Sequence, residues 1–164
     1  RCPLMPADNA AQGQLVHITL HEPFEEQIDE EWLRDLVLHL LRELDDPGVL
    51  EIVVTDDQTI AQLNELYHGD QGPTDVLSFS AREDTEESFV WPPEMQRPLG
   101  EIVVCLPQAE RQKQENDRTT QEEVAFLLVH GVLHLLGHDH IVQAERSAMQ
   151  VQERGLMERI IASA

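Results

Sequence analysis

The sequence predicts an α/β fold of the α+β kind, a small mixed sheet of four strands packed with about five helices. Three observations carry that prediction. Val49 to Thr55 and Leu99 to Leu106 are nearly continuous apolar runs rich in β-branched residues, the mark of buried strands. Glu26 to Leu44 repeats apolar residues at helical spacing. The elements follow one another as β-α-β-α-β-β-α-α-α, with no repeat and no interdomain linker.

Taken in order, Gln14 to His21 alternates apolar and polar residues as a half-exposed strand does, with His17 and His21 on the solvated side. The helix over 26–44 carries Ile28, Trp32, Leu33, Leu36, Val37, Leu40 and Leu41 on its apolar stripe. Its early acids complement the positive end of the helix dipole, and His39 falls off the stripe, on the surface. Asp45-Asp46-Pro47-Gly48 is a turn. After the buried strand over 49–55, Asp56 or Asp57 can cap a helix from Gln58 to Tyr67 that buries Ile60, Leu63 and Leu66. A loop from His68 to Pro73 enters a short strand containing Val76, Leu77 and Phe79.

Residues 81–99, acidic and proline-rich without periodicity, read as an exposed loop. Beyond the strand over 99–106, Pro107 opens a polar helix reaching Asn116. Asp117 to Thr120 offer caps for the next helix, begun by Glu122-Glu123, and Gln143 to Ile161 forms a last amphipathic helix burying Met149, Leu156, Ile160 and Ile161. Residues 1–13 read as a ragged N-terminus and 14–164 as a single domain.

Charge narrows the partners. The net charge of −21 comes from 32 acidic against 11 basic residues, and Lys113 is the only lysine. A surface of this kind repels itself and stays soluble, and it repels nucleic acid, whose phosphates are met by Lys and Arg. Residues 101–164, with 10 acids and 6 bases, are the least acidic part. No apolar run reaches the roughly 18 residues of a membrane span, and the start lacks the apolar core of a signal peptide. Cys2 and Cys105 stand far apart, which argues against a disulfide and for a reducing cytoplasm.

The chemistry concentrates in Val129-His130-Gly131-Val132-Leu133-His134-Leu135-Leu136-Gly137-His138-Asp139-His140. His130 and His134 share one helix face. Gly137 can end the helix in the left-handed conformation, and the turn can return His140 beside them. Three imidazoles suit zinc, which keeps a fourth position for water in catalytic sites. His138 is crowded by His140 and is expected near the metal, not on it. Asp139 is preferred as a hydrogen-bond partner that orients a ligand histidine; the alternative is a proton acceptor for the water.

The His-x3-His-x5-His spacing is shared with metzincin proteases, which makes the arrangement zincin-like. There a glutamate follows the first histidine as general base; here Gly131 holds that position. Glu122 and Glu123 lie about two turns away along the helix, so a metallopeptidase lacks its base. An ion held by neutral ligands keeps its full charge, which suits an anionic substrate such as a phosphodiester.

The histidine block resembles the signature of the YbeY family, bacterial ribosomal RNA maturation factors. Two further blocks agree in order and separation: Asn64-Glu65-Leu66-Tyr67 leading to Pro73-Thr74-Asp75-Val76-Leu77-Ser78-Phe79, and Leu99-Gly100-Glu101-Ile102-Val103-Val104-Cys105. The tail pattern Glu145, Met149 and Glu153 also fits, and the resemblance covers roughly residues 14–160. It implies a single-domain metalloprotein binding one zinc through His130, His134 and His140. It further implies a metal-dependent endoribonuclease acting on single-stranded RNA, in maturing the 3′ end of small-subunit ribosomal RNA and in ribosome quality control. The partners expected on that basis are ribosomal RNA, the small ribosomal subunit, and ribosomal proteins or a GTPase, without a membrane. One departure stands out. Where the family carries an arginine after the middle aromatic, this chain has His68, which cannot form the two-pronged guanidinium contact to phosphate.

The leading expectation is therefore a zinc-dependent endoribonuclease with Thr74, Asp75 and Ser78 lining a cleft beside the metal, and with His68 and Asp139 as its catalytic candidates. The same three cleft residues also serve as turn caps. The rival is a non-catalytic ribosome assembly factor with a structural zinc, favoured by the acidic surface and by His68.

Overall fold

The structure, a computed structural model, describes residues 15–44, 48–69, 72–81, 98–136 and 150–159. Four strands, β1 (Leu15–Leu20), β2 (Val49–Thr55), β3 (Val76–Ser80) and β4 (Pro98–Cys105), form one sheet in the order β1-β2-β4-β3. The pairs β1-β2 and β2-β4 are parallel, and β3 runs antiparallel to β4 along the edge. Helices α1 (Glu30–Glu43), α2 (Asp57–His68), α3 (Leu106–Glu115) and α4 (Thr120–Leu135) are joined by a helical run over 150–159. This is the mixed four-stranded α+β architecture that the element order predicts.

The first helix begins later than its periodicity suggests. Phe24–Glu26 makes a single 3-10 turn that buries Phe24, and Asp29 then caps α1 by accepting the amide of Glu31 at 2.9 Å. An aspartate that takes the orphan amides of a first turn fixes the start more firmly than apolar spacing does. For α2 the cap is Asp56, whose carboxylate accepts the amide of Thr59 at 2.7 Å; that bond holds its pKa below the ordinary carboxylate value. Gly69, at φ +72°, ends the helix in the left-handed conformation and donates its amide to Glu65 O at 3.1 Å.

Leu66 is not buried. It is 73% exposed, because Ile60 and Asn64 form the buried stripe of α2. Two residues beyond Asn64 the helix has turned by about 200°, which carries Leu66 to the opposite face. His17 is exposed as expected, but His21 is half-buried and its Nδ1 lies 2.8 Å from Thr55 Oγ1. His39 is likewise half-buried on α1, not out on its surface. The turn at 45–47, most of the 81–99 loop, and Met149, Ile160 and Ile161 lie outside the described residues.

The sheet separates two cores. On one face Leu50, Ile52, Val54, Ile102 and Val104 pack with Leu33, Val37 and Leu41 of α1, Leu128 and Val132 of α4, and Leu156. On the other, Ile60 of α2 meets Leu77, Val103 and Cys105. Helix α4 is buried nearly all round and lies directly on the sheet. Gly131 makes that approach possible: a Cβ there would stand 3.1 Å from both Ile102 side-chain carbons and from Ser78 Oγ. The close seating fixes the end of α4, and with it the histidines, against edge strand β3.

Candidate metal centre

His130 and His134 occupy the last turns of α4 and, four residues apart, project on one face. Their Nε2 atoms are 3.0 Å apart and their rings meet edge-on at 4.5 Å. Two imidazole nitrogens on one tetrahedral zinc, each at about 2.05 Å, stand about 3.3 Å apart. The pair is thus within a few tenths of an ångström of the separation that one ion requires.

Each side of His130 is fixed. Its Nδ1–H donates to Glu153 Oε1 at 2.5 Å, from a carboxylate that is only 7% exposed. That bond leaves Nε2 with the lone pair a metal needs. The ring also stacks on Phe126 at 6.2 Å, and the guanidinium of Arg118 covers Phe126 at 4.2 Å from its centroid. Arg118 is held in turn by buried Glu123 at 3.0 Å, and Asn116 donates to the same carboxylate at 3.2 Å. Position Glu123, expected only as a helix-opening acid, is therefore the anchor of a chain of contacts that ends on His130.

A cleft of about 500 Å³ opens beside the two histidines. One wall is His130, His134 and Leu135 of α4; edge strand β3 supplies Val76, Ser78 and Ser80. Asn64, His68, Thr74 and Asp75 close the third side. Thr74, Asp75 and Ser78 line the cleft, and of the three only Asp75 also caps a turn. Asp75 accepts the amide of Val76 at 2.8 Å, whereas Ser78 Oγ donates across to Gly131 O of α4 at 3.3 Å. His68, the last residue of α2, shares this cleft with His130 and His134, and its ring lies against Phe79 at 6.1 Å. Among the described residues no lysine or arginine lines the cleft.

His138, Asp139 and His140 lie outside the described residues, so the structure brings together two of the three predicted ligands. Among the described residues no group of three or more His, Cys, Asp or Glu is arranged to hold a metal. Glu153 is the site residue that chemical reasoning on the sequence missed. A signal for it exists: Leu156 and Met157, three and four residues on, are both buried. A carboxylate on the apolar stripe of a helix calls for a partner.

Comparison with known proteins agrees with the geometry. The family model described as Endoribonuclease YbeY matches residues 17–161. A relative from Roseiflexus castenholzii, named Endoribonuclease YbeY, is 41% identical over 128 residues, which cover 77% of this chain and 79% of that protein. One of the same name from Dehalococcoides mccartyi is 35% identical over 153 residues, covering 88% of this chain and 92% of the relative. The solution structure of TM1509 from Thermotoga maritima shares the fold, with a TM-score of 0.60 at 23% identity and 90% coverage of both chains. With three ordered sequence motifs, two histidines converging at the end of a buried helix, and relatives matched over most of their length, this chain belongs to the endoribonuclease YbeY family.

Proposed function

We propose that this chain is a zinc-dependent endoribonuclease that cuts single-stranded ribosomal RNA in the cytoplasm. In this reading it acts in maturing the 3′ end of small-subunit ribosomal RNA and in ribosome quality control, as one domain over 14–164. The observation that carries it is the 3.0 Å approach of His130 Nε2 and His134 Nε2 at the wall of an open cleft, in a chain of this family. His130, His134 and His140 would hold one zinc ion. When bound, zinc supplies Lewis-acid polarisation of a phosphoryl oxygen and lowers the pKa of a coordinated water.

The chain's own residues then divide the remaining work. Glu153 keeps the Nδ1 proton of His130 and so presents Nε2. Asn64, which gives one amide N–H to Gly72 O at 3.2 Å, keeps the other for a phosphate oxygen, and the hydroxyl oxygens of Thr74 and Ser78 can accept from ribose hydroxyls. His68 faces the same space and can donate one hydrogen bond to phosphate where the family's arginine gives two. Asp139 orients a ligand histidine. With no lysine or arginine among the described residues of the cleft wall, neutralising the substrate's charge falls to the ion.

The test pairs metal analysis with cleavage. Purified protein carries about one zinc per chain and cuts a single-stranded ribosomal RNA oligonucleotide, and His134→Ala loses both zinc and cutting while keeping its helical spectrum. Cleavage that survives His134→Ala defeats the reading.

A second reading rests on the charge of −21. An acidic surface fits basic ribosomal proteins, and the chain would then serve the small subunit, or a GTPase acting on it, as an assembly factor with a structural zinc. Under that reading His130→Ala unfolds the protein instead of leaving it folded and inactive.

A further inference from the structure

We propose that Tyr67, with Phe79 and His68 behind it, is a stacking platform for one unpaired base of the RNA, one residue along α2 from the His68 that lines the cleft of the histidine pair. The proposal rests on the endoribonuclease reading above and names how that site recognises a single strand.

Tyr67 is the chain's only tyrosine, in a sequence with 4% aromatic residues, and its side chain is 62% exposed at the end of α2. Among the described residues its one ring contact is edge-to-face with Phe79, centroids 5.1 Å apart and planes at 64°. That contact covers at most one face of the tyrosine. His68 lies nearly parallel to the same Phe79, at 25°. Since His68 also lines the cleft of His130 and His134, the exposed tyrosine and the cleft wall belong to one aromatic cluster.

The electrostatics give the cluster a task. Arg34, Arg111, Lys113, Arg118 and Arg159 each hold a carboxylate of the chain itself, and none of them faces the cleft. Proteins that grip single strands combine a basic groove with aromatic rings. Among the described residues the cleft is lined by no lysine or arginine, so stacking has to supply more of the affinity. It also supplies selectivity, because a base inside a duplex is already stacked and cannot be presented to a ring.

Binding is measured by fluorescence anisotropy of a labelled single-stranded RNA, in chelator so that nothing is cut, using wild type, Tyr67→Ala and Tyr67→Phe. The RNA is scanned with an abasic nucleotide at each position. Tyr67→Ala is expected to weaken binding roughly tenfold, the effect of losing one stacked base, with Tyr67→Phe near wild type. One abasic position should weaken wild type by a similar factor and leave Tyr67→Ala unchanged. Equal binding by Tyr67→Ala, or losses that multiply at every abasic position, overturns the platform and leaves the exposed ring to a protein partner. Should wild type neither bind nor cut single-stranded RNA with zinc restored, the endoribonuclease reading falls; should it do both while Tyr67→Ala changes nothing, only the platform falls.

Discussion

Glu153 Oε1 sits 2.5 Å from His130 Nδ1, and this contact ties the helical run over 150–159 to the end of α4. The acid is 7% exposed, so the hydrogen bond is made away from competing water. Its consequence is chemical as well as structural. An imidazole whose Nδ1–H is committed to a carboxylate presents the lone pair of Nε2, and the Nε2 of His134 lies 3.0 Å from that nitrogen.

If the proposed site holds zinc through His130, its affinity should therefore depend on Glu153. Loss of a carboxylate behind a ligand histidine typically costs 10- to 100-fold in metal affinity, roughly. Glu153→Ala is expected in that range, and Glu153→Gln, which keeps an acceptor oxygen, to lose less. Competition with a chromophoric chelator measures both without reference to activity. Affinities unchanged in Glu153→Ala would show that the contact serves only to dock the last helix.

Gly131 decides the packing of α4 before it decides any chemistry. A Cβ there would press on Ile102 and on Ser78 Oγ at 3.1 Å, and Ser78 already donates to Gly131 O. Gly131→Ala should destabilise the fold by about 1–3 kcal/mol through overpacking, read as a lower denaturation midpoint at unchanged m-value. Gly131→Glu, which restores the peptidase pattern on paper, directs its carboxylate into the sheet. It should gain no peptidase activity. Detectable peptide hydrolysis by Gly131→Glu would show that the position faces the cleft after all.

How far the sequence reached follows from which signals are local. Four strands and the helices between them were legible because burial on a sheet imposes β-branched runs and helix spacing imposes stripes. The pairing of His130 with His134 was legible for the same reason, since four residues on a helix is a fixed displacement. Leu66 was misjudged because an apolar residue at helical spacing counts alike on either face, and only the position of Asn64 tells which face is inside. Glu153 was not legible as a site residue, because its partner is 23 positions away and no local pattern links two helices. The start of α1 was set by one capping side chain, Asp29, against a longer apolar pattern.

Binding of RNA should respond weakly to salt. Each phosphate neutralised by Lys or Arg contributes a slope of about −0.7 in log K against log salt for single strands. Among the described residues the cleft walls carry neither, and Arg111, Lys113 and Arg118 are already engaged with Asp57, Glu110 and Glu123. A slope no steeper than about −2, the equivalent of two or three phosphate contacts, is expected. Anisotropy titrations across a salt series measure it, and a steep slope would place the RNA on a basic surface elsewhere in the chain.

Cys105 should make stability fall at alkaline pH. The side chain is fully buried at the start of α3, and burial pushes its thiol up to about 12 from an ordinary value of 9.0. The Asp57 carboxylate adds to this by accepting the S–H at 3.3 Å, while Arg111 holds that carboxylate from the other side. A folded-state pKa above the unfolded one means the native protein keeps its proton more tightly. The contribution is complete below about pH 9 and is lost progressively as pH rises toward 12. One proton limits the slope to about 1.4 kcal/mol per pH unit. Urea melts at intervals across that window should show the decline in wild type and a flatter line in Cys105→Ala, whose stability at neutral pH is lower because the sulfur leaves a cavity. A thiol reagent at pH 8 supplies the second check: in a Cys2→Ser background the native protein should stay unreactive until it is unfolded, and prompt labelling would mean that Cys105 is reached by solvent and carries an ordinary pKa.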